Sequence, residues 1–176
     1  RQWEIPVVAD AAAAIGATLF EQPIGTYGDA LALSFNGNKT VTCGGGGAVV
    51  TNNEWIAHQV RHISTTARVG PGYRHDDVGF NLRLTNLQAA VGGAQVERLS
   101  DFVSAKQRIW RIYREALEPH GLPSFVGAAW ARSSNWMSGI VLPAEVGPVQ
   151  RVAEALAKQG VDAREFWVPL HMQKPY

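Results

Sequence analysis

Apolar residues fall into short continuous runs in the first third of the chain and into helical spacing after that. Ile5-Pro6-Val7-Val8-Ala9-Asp10 is a short apolar run that ends in a carboxylate, and it predicts a strand. The small residues from Ala11 to Gly16 predict the opening of a helix with Asp10 near its N-terminus. Ala30 to Phe35 and Ala48 to Thr51 read as two buried strands separated by a Gly-rich turn. Asn53 to Arg61 predicts a helix with Trp55, Ile56, Gln59 and Val60 on one face and Asn52 or Asn53 as cap. Asn86 to Val96 predicts a second helix, rich in small residues. Its glycines cost helix propensity but let another backbone come close. From Leu99 onward, Phe102, Ile109, Ile112, Tyr113 and Leu117 keep near-helical spacing, which predicts a long amphipathic helix that stops near Pro119-His120-Gly121. The remainder predicts a small α+β unit: a strand over 135–142, a helix over 149–159 with Gly160 at its C′ position, and a strand beginning at 161–164. The fold class is α/β.

At 176 residues, with 46% hydrophobic and 18% charged residues, the chain has room for one or two domains and a core. A formal net charge of +1 gives no electrostatic case for nucleic acid or an anionic membrane as partner. A single cysteine, Cys43, excludes an internal disulfide and fits a reducing cytoplasm. No apolar run is long enough to span a bilayer, and no signal-peptide pattern is visible. Beginning at Arg1 and stopping at Pro175-Tyr176, the chain is expected to be cut from a longer protein.

The candidate chemistry centres on Lys39, in a tight loop between two buried strands. Burial there disfavours the ammonium and frees the amine as a nucleophile towards a carbonyl compound. A lone lysine in such a place more often belongs to the surface of a hairpin loop, and its neighbours decide the matter. Asp10 closes a strand where ligands of α/β proteins usually bind, although an isolated aspartate there more often caps a helix. The loop over 69–83 is rich in hydrogen-bonding side chains and poor in core formers, which makes it either a solvated excursion or a binding segment. No His/Cys grouping has metal-ligand spacing.

Ser34, Phe35, Lys39, Cys43, Gly44, Gly46 and Gly47 together resemble the Schiff-base motif of the pyridoxal-phosphate sugar aminotransferases of the DegT/StrS type. Many members carry glutamate where this chain has Gly45. The Asn36-Gly37-Asn38-Lys39-Thr40 form with four glycines is similar to the branch that makes 4-amino sugars for legionaminic-acid-like nonulosonates. The resemblance implies an aspartate-aminotransferase-like, fold type I architecture. Residues 1–105 would be part of the large cofactor-binding domain, and 106–176 the linking helix and part of the small domain. The family's earlier sheet strands and the end of its small domain would lie outside this sequence.

Under the resemblance, Lys39 is the catalytic residue that carries pyridoxal 5'-phosphate, and Asp10 pairs with the cofactor's pyridinium nitrogen. Ala9 and Ala13 stand where the family's Glu-Asp-Ala-Ala-Gln/Glu/His motif has polar residues. Ser34 would bind the cofactor phosphate. Asn81, in Gly79-Phe80-Asn81-Leu82-Arg83, would bind the phosphate of a neighbouring subunit's cofactor. His75, Arg83, Arg164 and His171 are candidates for substrate contact, with local structural roles equally open. The implied partners are a nucleotide-linked 4-keto-6-deoxy sugar, an amino-acid donor such as glutamate, and a second copy of the chain in a homodimer with shared sites. No metal is implied. The competing readings are a sugar dehydratase or deoxygenase on the same scaffold, and an inactive truncated or regulatory relative. The dehydratases of this family have histidine at the lysine position, which Lys39 argues against.

Overall fold

A computed structural model describes residues 4–175 and shows a mixed α/β chain whose strands are shorter than the apolar runs that encode them. Only Val8–Asp10 (β1) of the first run is strand. Val7 is held outside it: its N–H donates to Asp29 Oδ2 at 2.7 Å, and its carbonyl accepts from Asp29 N–H at 2.8 Å. The helix expected over 11–16 is absent. Ala11 N–H stays with the sheet through Ala32 O, and two successive turns, Ala14 to Ala11 and Ala17 to Ala14, take the chain away. They lead to Thr18–Leu19 (β2) and Gln22–Pro23 (β3), which form a small hairpin.

Ala30–Ser34 (β4) is the centre of the main sheet, with Ala30 and Leu31 buried. It lies parallel to β1, with Asp10 opposite Ala32, and antiparallel to Gly47–Val50 (β5), giving the order β1-β4-β5. Gly47 faces Ser34 in this ladder. A Cβ there would fall 2.3 Å from the Leu33 carbonyl oxygen, so close strand pairing needs glycine at this position. Val8, Val49 and Val50 remain exposed on this three-stranded sheet.

Glu54–Ser64 (α1) begins where Asn53 Oδ1 accepts from Ile56 N–H at 3.2 Å, which confirms Asn53 over Asn52 as cap. Trp55 and Val60 turn outward, and Ile56, Gln59 and Ile63 form the half-buried face. Arg68–Val69 (β6) and Arg74–His75 (β7) make a two-stranded ribbon. Asn86–Glu97 (α2) starts on a reciprocal cap: Thr85 Oγ1 accepts from Gln88 N–H, and Gln88 Oε1 accepts from Thr85 N–H, both at 3.3 Å. The Thr-x-x-Gln spacing is a recognisable sequence signal for this start. Leu99–Leu117 (α3) follows as the long amphipathic helix, and Val103 on it is buried. Ala131–Arg132 (β8) adds a third strand beside β2.

The chain divides into two compact units. The first takes in the chain up to Ile112 and Val126–Ser138. The second takes in Tyr113–Phe125 and the chain from Gly139. The second unit holds Val149–Ala157 (α4), followed at Gly160 by a left-handed residue (φ 77°), and an aromatic group in which Phe166 meets Phe125 and Trp167 edge-on. The strand expected over 135–142 does not form. Asn135 takes a left-handed conformation (φ 50°) that interrupts the extended run, and what remains is a single bridge between Ser124 and Ile140. Residues 161–164 likewise have no ladder partner among the described residues.

The Gly47 contact predicts an asymmetry between this strand glycine and Gly37 in the preceding turn. Gly47→Ala should destabilise the chain by about 1–3 kcal/mol, because backbone must shift to admit the methyl. Gly37, with nothing within 4 Å of its virtual Cβ, should accept alanine within about 0.5 kcal/mol. Urea midpoints of the two variants measure the difference.

Candidate active site

The turn between β4 and β5 is closed by backbone bonds at its neck. Phe35 N–H donates to Gly46 O at 2.9 Å, and Cys43 N–H donates to Phe35 O at 3.1 Å. Thr42 Oγ1 adds a bond to Phe35 O and accepts from Gly44 N–H. Phe35, Val41 and Cys43 form the buried cluster of this region, packed against Ile15, Leu33, Ala48, Leu84, Leu99 and Phe102. Helix α2 covers the turn: Gln95 Oε1 accepts from Thr42 N–H at 3.1 Å, and Gly92 leaves the helix backbone close to Cys43.

Phe35, Thr40, Val41 and Cys43 are thus drawn into the core, while Lys39 sits at the lip, half-buried rather than sealed from water. Its backbone N–H bonds to Asn36 O at 3.0 Å. Its Nζ lies 3.9 Å from the centre of the Trp136 ring and makes no ion pair among the described residues. Next to it, the Thr40 hydroxyl is buried without a hydrogen-bond partner among the described residues.

Parallel pairing puts the end of β1 and the turn after β4 at the same edge of the sheet, where ligands of α/β folds collect. Asp10 there is exposed. Its Oδ1 accepts from Ala12 N–H at 3.0 Å, while Oδ2 has no hydrogen-bond partner among the described residues. It caps a turn and not a helix, since no helix follows. Ser34 Oγ accepts from Asn36 N–H at 3.3 Å, which leaves its own O–H able to donate. An amine without a counter-ion, a carboxylate oxygen without a donor and an unspent hydroxyl therefore share one sheet edge. Chemically, the set offers an anchor for a carbonyl carbon, an acceptor for a protonated ring nitrogen and a donor to an anionic oxygen.

The other candidate residues lie elsewhere. Asn81 bridges Thr65 in antiparallel fashion, flanked by bonds from Phe80 N–H to Ile63 O and from Leu82 N–H to Ser64 O. Gly79 makes this crossing possible, because a Cβ would fall 2.1 Å from the Thr66 carbonyl carbon. The Asn81 residue is exposed. His75 donates from Nδ1 to Thr66 O at 2.7 Å, a local bond that holds the ribbon. Arg83 lines an open pocket of about 540 Å³ with His58, Arg61, His62, Ser64 and Thr65; Lys39, Asp10 and Ser34 are not part of that lining.

In the second unit, Arg164 pairs with Asp162 at 2.8 Å on the surface, and His171 is exposed on a single 3-10 turn, Leu170–Met172. Among the described residues no group of three His, Cys, Asp or Glu side chains gathers as a metal site, and no helix is long and apolar enough to cross a membrane. Trp136, the residue in contact with Lys39 Nζ, was not among the sequence candidates. It sits in an apolar run that reads as strand core, and nothing local distinguishes it.

The family model of the DegT/DnrJ/EryC1/StrS aminotransferases matches residues 1–176. The chain is 37% identical over 175 residues to the GDP-perosamine synthase of Vibrio cholerae, covering 97% of this chain and 47% of that protein. It is 33% identical over 187 residues to the GDP-perosamine synthase of Caulobacter vibrioides, covering 100% and 48%. A crystal structure of a DegT DnrJ EryC1 StrS aminotransferase from Brucella abortus superposes with a TM-score of 0.84 at 29% identity, over 97% of this chain and 45% of that one. The chain thus spans about half the length of the curated relatives it matches. With the match running its whole length and the lysine turn, aspartate and serine at one sheet edge, the chain belongs to the DegT/DnrJ/EryC1/StrS aminotransferase family.

Proposed function

We propose that this chain carries the lysine-bearing part of a pyridoxal-phosphate-dependent aminotransferase. It transfers an amino group from an amino acid, glutamate, to the keto carbon of a nucleotide-linked 4-keto-6-deoxy sugar. The observation that carries this reading is the placement of Asp10, Ser34 and Lys39 at one edge of the β1/β4 pair, each with bonding capacity left over. That donor set fits the cofactor. When bound, pyridoxal phosphate supplies an electron sink that stabilises negative charge at the carbon bearing the amine.

The chain's own residues divide the remaining work. Lys39 Nζ would hold the cofactor and serve as the group that moves a proton to and from the reacting carbon. Asp10 Oδ2 would accept from the ring N–H and keep that nitrogen protonated, since a carboxylate beside it favours the charged form. The Ser34 hydroxyl donates to a phosphate oxygen. Asn81, exposed on its bridge to Thr65, reaches the cofactor phosphate of a second copy of the chain in a homodimer. His75 and Arg83 in the first unit, and Arg164 and His171 in the second, are each candidates for contact with the acceptor. A histidine at the lysine position would favour the dehydratase reading; Lys39 supports amination.

The acceptor has two candidates. The four-glycine form of the turn favours the branch making 4-amino sugars for legionaminic-acid-like nonulosonates. The relatives named GDP-perosamine synthase favour a GDP-linked sugar. Assays that offer each nucleotide-linked keto sugar with glutamate separate the two.

Two outcomes test the scheme. Borohydride reduction of the protein incubated with pyridoxal phosphate should bleach a visible absorption band and add the cofactor's mass to the Lys39 peptide. Lys39→Ala should lose the band and lower kcat by roughly 10²–10⁴-fold or more, with an unchanged circular dichroism spectrum. A variant that transaminates normally without added amine removes Lys39 from this role.

Asn81→Ala should weaken cofactor binding by roughly 10- to 100-fold, the loss of one hydrogen bond to a charged group. If Asn81 serves the neighbour's site, mixing Lys39→Ala with Asn81→Ala subunits should restore about a quarter of wild-type activity, because half the dimers then contain one intact site. No recovery on mixing would place Asn81 in its own subunit's site or in none.

A further inference from the structure

The side chain that meets Lys39 Nζ comes from a distant segment whose course is set in detail. Strand β8 pairs with β2, with Arg132 opposite Thr18. Gln107 of α3 then grips the chain on both sides of the strand end: its Oε1 accepts from Arg132 Nη2 at 2.8 Å, and its Nε2 donates to Ser133 O at 3.1 Å. Ser134 is 2% exposed. Asn135 takes a left-handed step (φ 50°) with its N–H on Ser133 Oγ, which re-aims the residue that follows. That residue is Trp136, half-buried, with its ring centre 3.9 Å from Lys39 Nζ. Of the aromatic side chains, tryptophan offers the strongest attraction to a cation over its face.

We infer that Trp136 is the positioning residue of Lys39: its indole face holds the resting ammonium at the lip of the turn. Lys39 makes no ion pair among the described residues, so the ring takes the part that a carboxylate plays for most partly buried lysines. The ring attracts the charged amine and has little hold on the neutral one. Trp136 therefore orders a side chain with four rotatable bonds and screens Nζ from reagents on the side of the ring. The inference gives Trp136 a place in the lysine-centred site and rests on the reading of Lys39 as its reactive group.

The test is run on the full chain without cofactor. Reductive methylation with formaldehyde and a borohydride is followed peptide by peptide by mass spectrometry, with Lys158 as internal reference. Trp136→Leu should raise the labelling of Lys39 relative to Lys158 by roughly two- to fivefold, while Trp136→Phe, which keeps a ring face, should stay near wild type. Equal labelling in wild type and Trp136→Leu overturns the inference, and so does a Trp136→Phe variant as fast as Trp136→Leu. A second arm needs no variant. The ε-methylene protons of Lys39 should resonate upfield of those of Lys158 through the ring current of Trp136, and an unshifted signal overturns the inference directly. Neither arm depends on transamination, so failure of cofactor trapping at Lys39 is read separately.

Discussion

The closed neck of the turn between β4 and β5 is the constraint from which the site follows. Phe35 is bonded through both its amide and its carbonyl, to Gly46 O and from Cys43 N–H. Its side chain lies in the same buried cluster as Val41 and Cys43. Because the neck is closed by backbone and the turn's interior is anchored by apolar side chains, Lys39 has a fixed origin at the sheet edge. A lysine on an open loop would give up far more conformational freedom on binding. Helix α2 reinforces this through one long-range bond, Gln95 to Thr42 N–H. Its low-propensity glycine, Gly92, sits where the helix comes close to Cys43.

Around this anchored turn the rest of the chain is thinly buried. Eight apolar residues reach the buried class among those described, and the β1-β4-β5 sheet shows valines on its surface. Exposed strands and apolar faces of this kind are surfaces that other segments or copies cover in a stable α/β architecture. The rigid part of the site lies in the neck and the sheet edge, whereas the Asn81 segment hangs on a short backbone pairing with residues 63–66.

Much of the local structure was legible in the residues. The helices over 54–64, 86–97, 99–117 and 149–157 follow apolar spacing and cap chemistry, and the strand–turn–strand around Lys39 follows two apolar runs and a glycine block. Where local reading failed, one tertiary bond and one left-handed step had outcompeted propensity. Ala11 gives its N–H to Ala32 across the sheet, so the small residues after it turn instead of coiling into a helix. Asn135 adopts a left-handed step inside a run that reads as strand, because the chain there is re-aimed and not paired.

By itself, the sequence determined the family motif and the candidate lysine, carboxylate and hydroxyl of the site, because those are properties of residue type and short spacing. Only the tertiary structure decided which of them meet. Parallel pairing of β1 with β4 puts Asp10 at the same sheet edge as the Lys39 turn, and the β8–β2 pairing with the Gln107 clamp carries Trp136 onto the lysine. Both are contacts between segments far apart in the chain. Neither run of residues carries a periodic signal of its partner, so strand register and side-chain packing, which exist only in the folded chain, had to supply them.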